Sequence, residues 1–227
     1  MNAVVVGASP VAHADAWYRG VLQASDLVVA CDAAGEWCAG LGRTPDLAVG
    51  DFDSASAGSV ERLRARGVKV VEYPRHKDAS DLDLAVAVAL ARGVTSVTVT
   101  AAFASRLDHT LAALGLGLRV PVDVPLAFSD PGLEARVLRA PKERHIELDV
   151  PPGALVSVVA LTPAAGVTLC GLAYPLLNAS LEALSSLGIS NVATASRVTV
   201  DASQGTLLVM CVDESVRDVQ VPGEPCR

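Results

Sequence analysis

Long apolar runs are missing from this chain. Hydrophobic residues make up 51% of it, yet no stretch approaches the eighteen or so consecutive apolar residues that a membrane-crossing helix needs. A soluble globular protein with no membrane partner is expected. A basic leader with an apolar segment and a cleavage site is missing too, since Met1-Asn2-Ala3-Val4-Val5-Val6-Gly7 opens directly on a strand-like run. No secretory signal is read there, and a cytoplasmic location is expected. Cysteine is scarce and unpatterned: Cys31, Cys38, Cys170, Cys211 and Cys226 are odd in number and show no C-x-x-C spacing for zinc or redox chemistry. Positive charge is in deficit, with 18 Lys and Arg against 25 Asp and Glu and a net charge of -7. That argues against a nucleic-acid partner, which relies on a basic footprint. A phosphate ligand here has to be met by local Arg and Lys and by a cation. Aromatic residues are only 4%, so Trp17 and Trp37 are expected in the core, with stacking on a ligand ring as the alternative. Repeats and low-complexity segments are absent.

What the chain does have is paired acids. Gly50-Asp51-Phe52-Asp53-Ser54 follows the apolar run Leu47-Ala48-Val49. Residues two apart in extended backbone point to one side, so Asp51 and Asp53 present two carboxylates together. Like charges at such range raise one pKa or gather a cation. Oxygen-only ligands suit Mg²⁺, which takes one or two carboxylates, waters and substrate phosphates. A solvated turn is the ordinary alternative. A second cluster, Lys77-Asp78-Ala79-Ser80-Asp81-Leu82-Asp83, opens a helix, and the three-residue spacing puts Asp78 and Asp81 on one side of its first turn. Acids at a helix N-terminus are also favoured by the macrodipole alone.

In the first half, short β-branched runs alternate with helical patterns. Val4-Val5-Val6, Leu27 to Cys31, Leu47 to Val49, Val68 to Val71 and Thr95 to Ala101 read as strands. Helices are expected around Ala14 to Gln23, Glu36 to Leu41 and Gly58 to Arg66. After Lys77, Leu82, Ala85, Val86, Ala89 and Leu90 repeat with helical spacing, Ser80 and Asp83 resemble a capping box, and Gly93 closes the helix. This order predicts a three-layer α/β domain with a mostly parallel sheet. Ligands in that architecture sit outside the carboxyl ends of the strands, where Asp32, Asp51 and Asp53 fall.

From about Glu143 the pattern changes to short strands without long helices, bounded by turns such as Pro151-Pro152-Gly153. The expectation is an all-β sandwich domain over residues 141–227 after an α/β domain over residues 1–140, with the boundary near Pro141. Asp201-Ala202-Ser203-Gln204-Gly205 is expected to join two strands as a hairpin, and the tail after Val219 to fray.

The strand at Thr95 runs into Ala102-Phe103-Ala104-Ser105-Arg106-Leu107-Asp108-His109, and Leu107, Leu111, Leu114 and Leu118 follow helical spacing. Arg106, Asp108 and His109 therefore sit in a loop and first helical turn. The planar fork of Arg suits phosphate oxygens. Asp108 as a helix N-cap and His109 as a surface residue are the plain alternatives.

These residues carry a resemblance: the chain is similar to the thiamine pyrophosphokinase family. That family has D-G-G near the end of an early strand, then G-D-F-D-S, K-D-x-T-D at a helix start, and G-G-R-x-D-H before another helix. Here Gly50 to Ser54 is intact, Ser80 replaces Thr in the third motif, and the fourth keeps Arg106, Asp108 and His109. In the second half Gly171-Leu172-Ala173-Tyr174-Pro175-Leu176 stands for G-L-x-Y-P-L, and Gly188-Ile189-Ser190-Asn191 for G-T-S-N. The resemblance implies transfer of a pyrophosphoryl group from ATP to the hydroxyl of thiamine, giving thiamine diphosphate and AMP. It implies Mg²⁺ on Asp51, Asp53, Asp78 and Asp81, nucleotide contacts from Asp32, Lys77, Arg106 and His109, and catalytic support from Arg106 oriented by Asp108. It also implies a homodimer with the active site at the subunit interface, where Ser190 and Asn191 meet thiamine.

Two departures bear on nucleotide contacts. Ala33-Ala34 and Ala104-Ser105 stand where the family has glycines, and a β-carbon obstructs positive φ and close backbone approach. A family member that binds ligand without turnover is therefore one competing reading. A Mg-dependent phosphatase using Asp51 as nucleophile is another, disfavoured because Ala55 stands where that motif wants Thr or Val.

Overall fold

The computed structural model of the 227-residue chain describes residues 1–103 and 106–213. The chain divides into two compact units, Met1–Asp130 and Pro131–Arg227. The first unit contains β1 (Asn2–Val6), α1 (Asp15–Gln23), β2 (Leu27–Cys31), α2 (Ala34–Gly40), β3 (Leu47–Gly50), α3 (Ser59–Ala65), β4 (Lys69–Glu72), α4 (Asp81–Leu90), β5 (Ser96–Thr100), α5 (Leu107–Leu114), α6 (Leu116–Arg119) and β6 (Leu126–Asp130). Its strands lie in the order β6-β5-β1-β2-β3-β4, and every pairing among them is parallel. The apolar strands explain this: β1, β2 and β3 are buried almost throughout, as strands covered on both faces must be. Tyr18 and Leu22 of α1 and Ala34 and Cys38 of α2 pack with Val4, Val6, Val28 and Ala30. Trp17 and Trp37 flank Tyr18 edge-on, with ring centroids 5.0 and 4.9 Å away. Both tryptophans serve the core.

Strand order places the site. After β4, at one edge of the order, the chain returns to form β5 beside β1, so α4 packs across β3, β2 and β1 on the way. The return brings residues 73–80 past the carboxyl ends of β3 and β2. Helix α4 begins at Asp81, after Asp78, and the capping box expected from the sequence is complete: Ser80 Oγ accepts from the Asp83 N–H at 3.1 Å, and Asp83 Oδ2 accepts from the Ser80 N–H at 3.4 Å.

The second unit holds β7 (Leu133–Ala140), β8 (His145–Asp149), β9 (Leu155–Ala160), β10 (Ala164–Cys170), β11 (Leu176–Leu181), β12 (Asn191–Val192), β13 (Arg197–Asp201) and β14 (Gly205–Val212). Two antiparallel layers, β12-β9-β14-β7 and β11-β10-β13-β8, face each other over Leu138, Val156, Val158, Leu169, Val198, Val200, Leu207 and Val209. This is the expected sandwich. Residues 133–140 pair along their whole length with β14, so the second unit begins before Pro141. The hairpin expected at residues 201–205 is corrected by the sheet order. β13 and β14 lie in different layers, and those residues cross between them. Ala104, Ser105, Cys226 and the tail after Val219 lie outside the described residues.

No helix among the described residues is long and apolar enough to cross a membrane.

Candidate active site

Asp32 follows the last residue of β2, and Asp51 and Asp53 follow β3. Each offers a carboxylate oxygen within 4.8 Å of the other two. Backbone geometry makes this possible. Asp32 and Phe52 take left-handed φ values of 44° and 56°, rare for residues with a β-carbon and typical of functional turns. The Phe52 N–H donates to Asp32 Oδ1 at 3.0 Å, and the Asp53 N–H donates to Asp51 Oδ1 at 3.2 Å. Gly50 leaves room for the carboxylates to descend onto the backbone. A β-carbon there would stand 1.8 Å from Asp32 Oδ1 and 3.3 Å from Asp81 Oδ1.

Three of the four carboxylates have a cation beside them. Lys77 Nζ, only 13% exposed, lies 2.8 Å from Asp51 Oδ2 and 2.7 Å from Asp81 Oδ1. The Arg75 guanidinium meets Asp53 Oδ2 at 2.6 Å. The Lys77 hydrogen bond holds the Asp51 carboxyl below its ordinary range. Burial opposes charge on Lys77, but its bonds to Asp51 and Asp81 outweigh that and raise its pKa. Asp32 has no cationic partner among the described residues. Burial, followed by the charges of Asp81 and Asp51, pushes it up to about 6 against the Phe52 hydrogen bond. A buried carboxyl held among like charges, with hard oxygen donors converging on one point, fits a divalent cation of the Mg²⁺ type. Asp32, Asp51, Asp53 and the neighbouring Asp81 are the residues that can hold it.

Other expected residues fall elsewhere. Asp78 is exposed and precedes the Ser80 N-cap, so the shared helical turn with Asp81 does not form. Arg106, not Asp108, occupies the N-cap position of α5. Its guanidinium grips Asp108 in a two-pronged pair at 3.1 and 2.6 Å, which holds the Asp108 carboxyl down to about 2. Both side chains are 65% exposed, so Asp108 orients an Arg that faces solvent; His109 is exposed beside them. Ser190 takes φ 53° and is exposed, its N–H donating to Ser157 Oγ at 3.0 Å. Asn191 is only 2% exposed. Its Oδ1 accepts from the Tyr174 N–H at 2.9 Å and its Nδ2 donates to the Tyr174 carbonyl at 2.7 Å. The amide therefore clamps the Gly171–Leu176 segment.

The alanines at 33 and 34 cause no backbone conflict. Ala33 has φ -60°, Ala34 opens α2, and the left-handed position is Asp32 itself. Sequence reasoning missed Glu36, which accepts from Arg62 at 2.6 and 3.0 Å and from Ser56 Oγ at 2.9 Å, tying the loop after Asp53 to α2. It missed Arg75 as well. An Arg three residues ahead of Asp78 in a polar loop carries no pattern of its own.

Comparison with known proteins agrees with this geometry. The family model "Thiamin pyrophosphokinase, catalytic domain" matches residues 18–125, and "Thiamin pyrophosphokinase, vitamin B1 binding domain" matches residues 143–207. The chain is 28% identical over 172 residues to a Bacillus subtilis protein named thiamine pyrophosphokinase, covering 74% of this chain and 79% of that one. Crystal structures of a thiamin pyrophosphokinase from Geobacillus thermodenitrificans and a thiamin pyrophosphokinase family protein from Enterococcus faecalis superpose with TM-scores of 0.77 and 0.79. Their identities are 25% and 22%, over 95% and 94% of this chain and 99% of each. With matched models spanning most of its length and the acidic motifs gathered at the carboxyl ends of β2 and β3, the chain belongs to the thiamine pyrophosphokinase family.

Proposed function

We propose that this protein transfers a pyrophosphoryl group from ATP to the hydroxyl of thiamine, giving thiamine diphosphate and AMP. The observation that carries the reading is the convergence of Asp32, Asp51 and Asp53, with Lys77 bridging Asp51 and Asp81. In this reading the first unit binds Mg²⁺ and ATP, and the second presents thiamine. The chain acts as a homodimer in the cytoplasm. The exposed Tyr174 and Leu177, 72% and 86% accessible, support a second copy as their cover.

Asp32, Asp51, Asp53 and Asp81 are the residues that would hold Mg²⁺. Asp78 is left out because it is exposed ahead of the helix cap. The ion, when bound, neutralises polyphosphate charge. The chain's own residues align the reactants. Lys77 fixes the rotamers of Asp51 and Asp81, while Arg106, oriented by Asp108, supplies a fork of donors to phosphate oxygens. Ser190 offers a neutral hydroxyl to the aminopyrimidine edge, and Asn191 holds the Tyr174 segment in place. The thiamine oxygen forms a bond to the β-phosphorus, the bond from that phosphorus to the α,β-bridging oxygen breaks, AMP leaves with the bridging oxygen, and the hydroxyl proton is released.

Incubation with Mg-ATP and thiamine, followed by chromatography, tests this. AMP and thiamine diphosphate are expected in equal amounts. Inorganic phosphate without AMP, or saturable binding without product, overturns the reading.

A further inference from the structure

Asp130 ends β6 and is 5% exposed. Three donors converge on its Oδ1: the Ala101 N–H at 2.7 Å, Tyr18 Oη at 3.0 Å and Thr100 Oγ1 at 3.1 Å. Tyr18 Oη also accepts from the Val11 N–H at 2.9 Å. One buried carboxylate therefore ties together the end of β5, the loop after β1 and the core helix α1. Burial raises its pKa, and these donors, with the Ala102 backbone, pull the other way. A buried anion that accepts several hydrogen bonds is a costly group to keep for packing alone.

The backbone it holds is unusual. Ala101 takes φ 53°, a left-handed turn that a residue with a β-carbon rarely adopts. The Gly7 N–H donates to the Thr100 carbonyl at 2.8 Å, and the Ser9 N–H donates to the Ala101 carbonyl at 2.9 Å. The approach is close enough that a β-carbon on Gly7 would stand 2.4 Å from the Ala101 oxygen. From this turn the chain runs on to Arg106 and Asp108. The order of strands reverses at β1, with β2 on one side and β5 on the other, the place where open α/β sheets bind ligands.

We infer that Asp130 is a positioning residue for nucleotide binding, aiming the strand end at Ala101 from which Arg106 is delivered to the phosphates. The inference rests on the reading of Arg106 given above. Asp130 touches no ligand; it acts through the backbone of residues 100–102.

The test measures Mg-ATP affinity by calorimetry, with AMP formation and thermal unfolding alongside, for Asp130→Asn, Arg106→Ala and the double variant. Asp130→Asn keeps the side-chain shape and one carbonyl oxygen but removes the charge. It is expected to weaken Mg-ATP binding about tenfold, the scale of one charge-assisted contact, while the KM for thiamine stays within about twofold. Arg106→Ala gives a similar loss, and the double variant binds no more weakly than the weaker single, because the two act as one unit. Tyr18→Phe, which removes only a hydroxyl, moves affinity the same way by less. The inference is overturned if folded Asp130→Asn binds Mg-ATP like the wild type, or if the losses multiply in the double variant. It is also overturned if the wild type binds no Mg-ATP. Wild-type binding without AMP formation sinks the proposed reaction and leaves this inference to be decided by the affinities.

Discussion

Replacing Asp32 with Asn should stabilise the metal-free protein at neutral pH while removing its activity. The folded carboxyl titrates at about 6, against an ordinary value of 3.8. The folded state thus holds this proton more tightly than the unfolded chain, and stability falls as pH rises through the window from about 4 to about 6. Roughly two pH units at 1.36 kcal/mol each give about 3 kcal/mol lost above pH 6. Asn has no such proton to lose, and its carbonyl oxygen still accepts from the Phe52 N–H. In EDTA at pH 7.5, Asp32→Asn should therefore be more stable than wild type by up to about 3 kcal/mol, or of order 5–10 °C in Tm for a chain of this size. At pH 4 the two should nearly coincide. Taking the difference between the proteins cancels the carboxylates that do not interact with Asp32. Mg²⁺ should then raise the Tm of the wild type and leave the variant unchanged. A variant that is less stable than wild type at pH 7.5 without metal, or one whose advantage is the same at pH 4 and 7.5, would refute the argument.

The remaining expectations concern backbone room and buried amides. Gly50→Ala should lower turnover strongly and cost about 1–3 kcal/mol in denaturant unfolding, as overpacking does, because its β-carbon would overlap Asp32 Oδ1; wild-type kinetics would show that Asp32 is free to move aside. Asn191→Ala strands the Tyr174 N–H and carbonyl and should cost about 2–4 kcal/mol, from one to two per orphaned group. Ser190→Ala, at an exposed site, should leave unfolding unchanged and raise only the KM for thiamine. Equal Tm values for the two variants would contradict the clamp.

Much of this was legible in residue order because the signals were local. Helix α4 announces itself through Ser80, Asp83 and its apolar stripe, and the structure returns the same cap, with Asp78 left outside the first turn. Asp32 and Asp51 were readable as acids that end apolar strands. Asp130 ends Leu126-Ala127-Phe128-Ser129 in the same way, so the signal that could have found it was already in use. Other features depend on partners distant in sequence. Asn191 finds its partner only when β12 pairs with β9 and brings it against Tyr174. Nothing in residues 201–205 tells whether the next strand joins the same layer, since a hairpin and a crossing between layers use the same turn chemistry. The helical leucines Leu107 and Leu111 lie 74% and 55% exposed. Spacing fixes a face of a helix but not what covers it.

The central claim is that the carboxylates of Asp32, Asp51, Asp53 and Asp81 gather one divalent ion for a polyphosphate. Electron paramagnetic resonance of Mn²⁺ titrated into wild type and Asp51→Asn, each with a non-hydrolysable ATP analogue, tests it most directly. A saturable bound signal is expected in the wild type, lost in Asp51→Asn at unchanged Tm. Equal Mn²⁺ binding by the two proteins would contradict it.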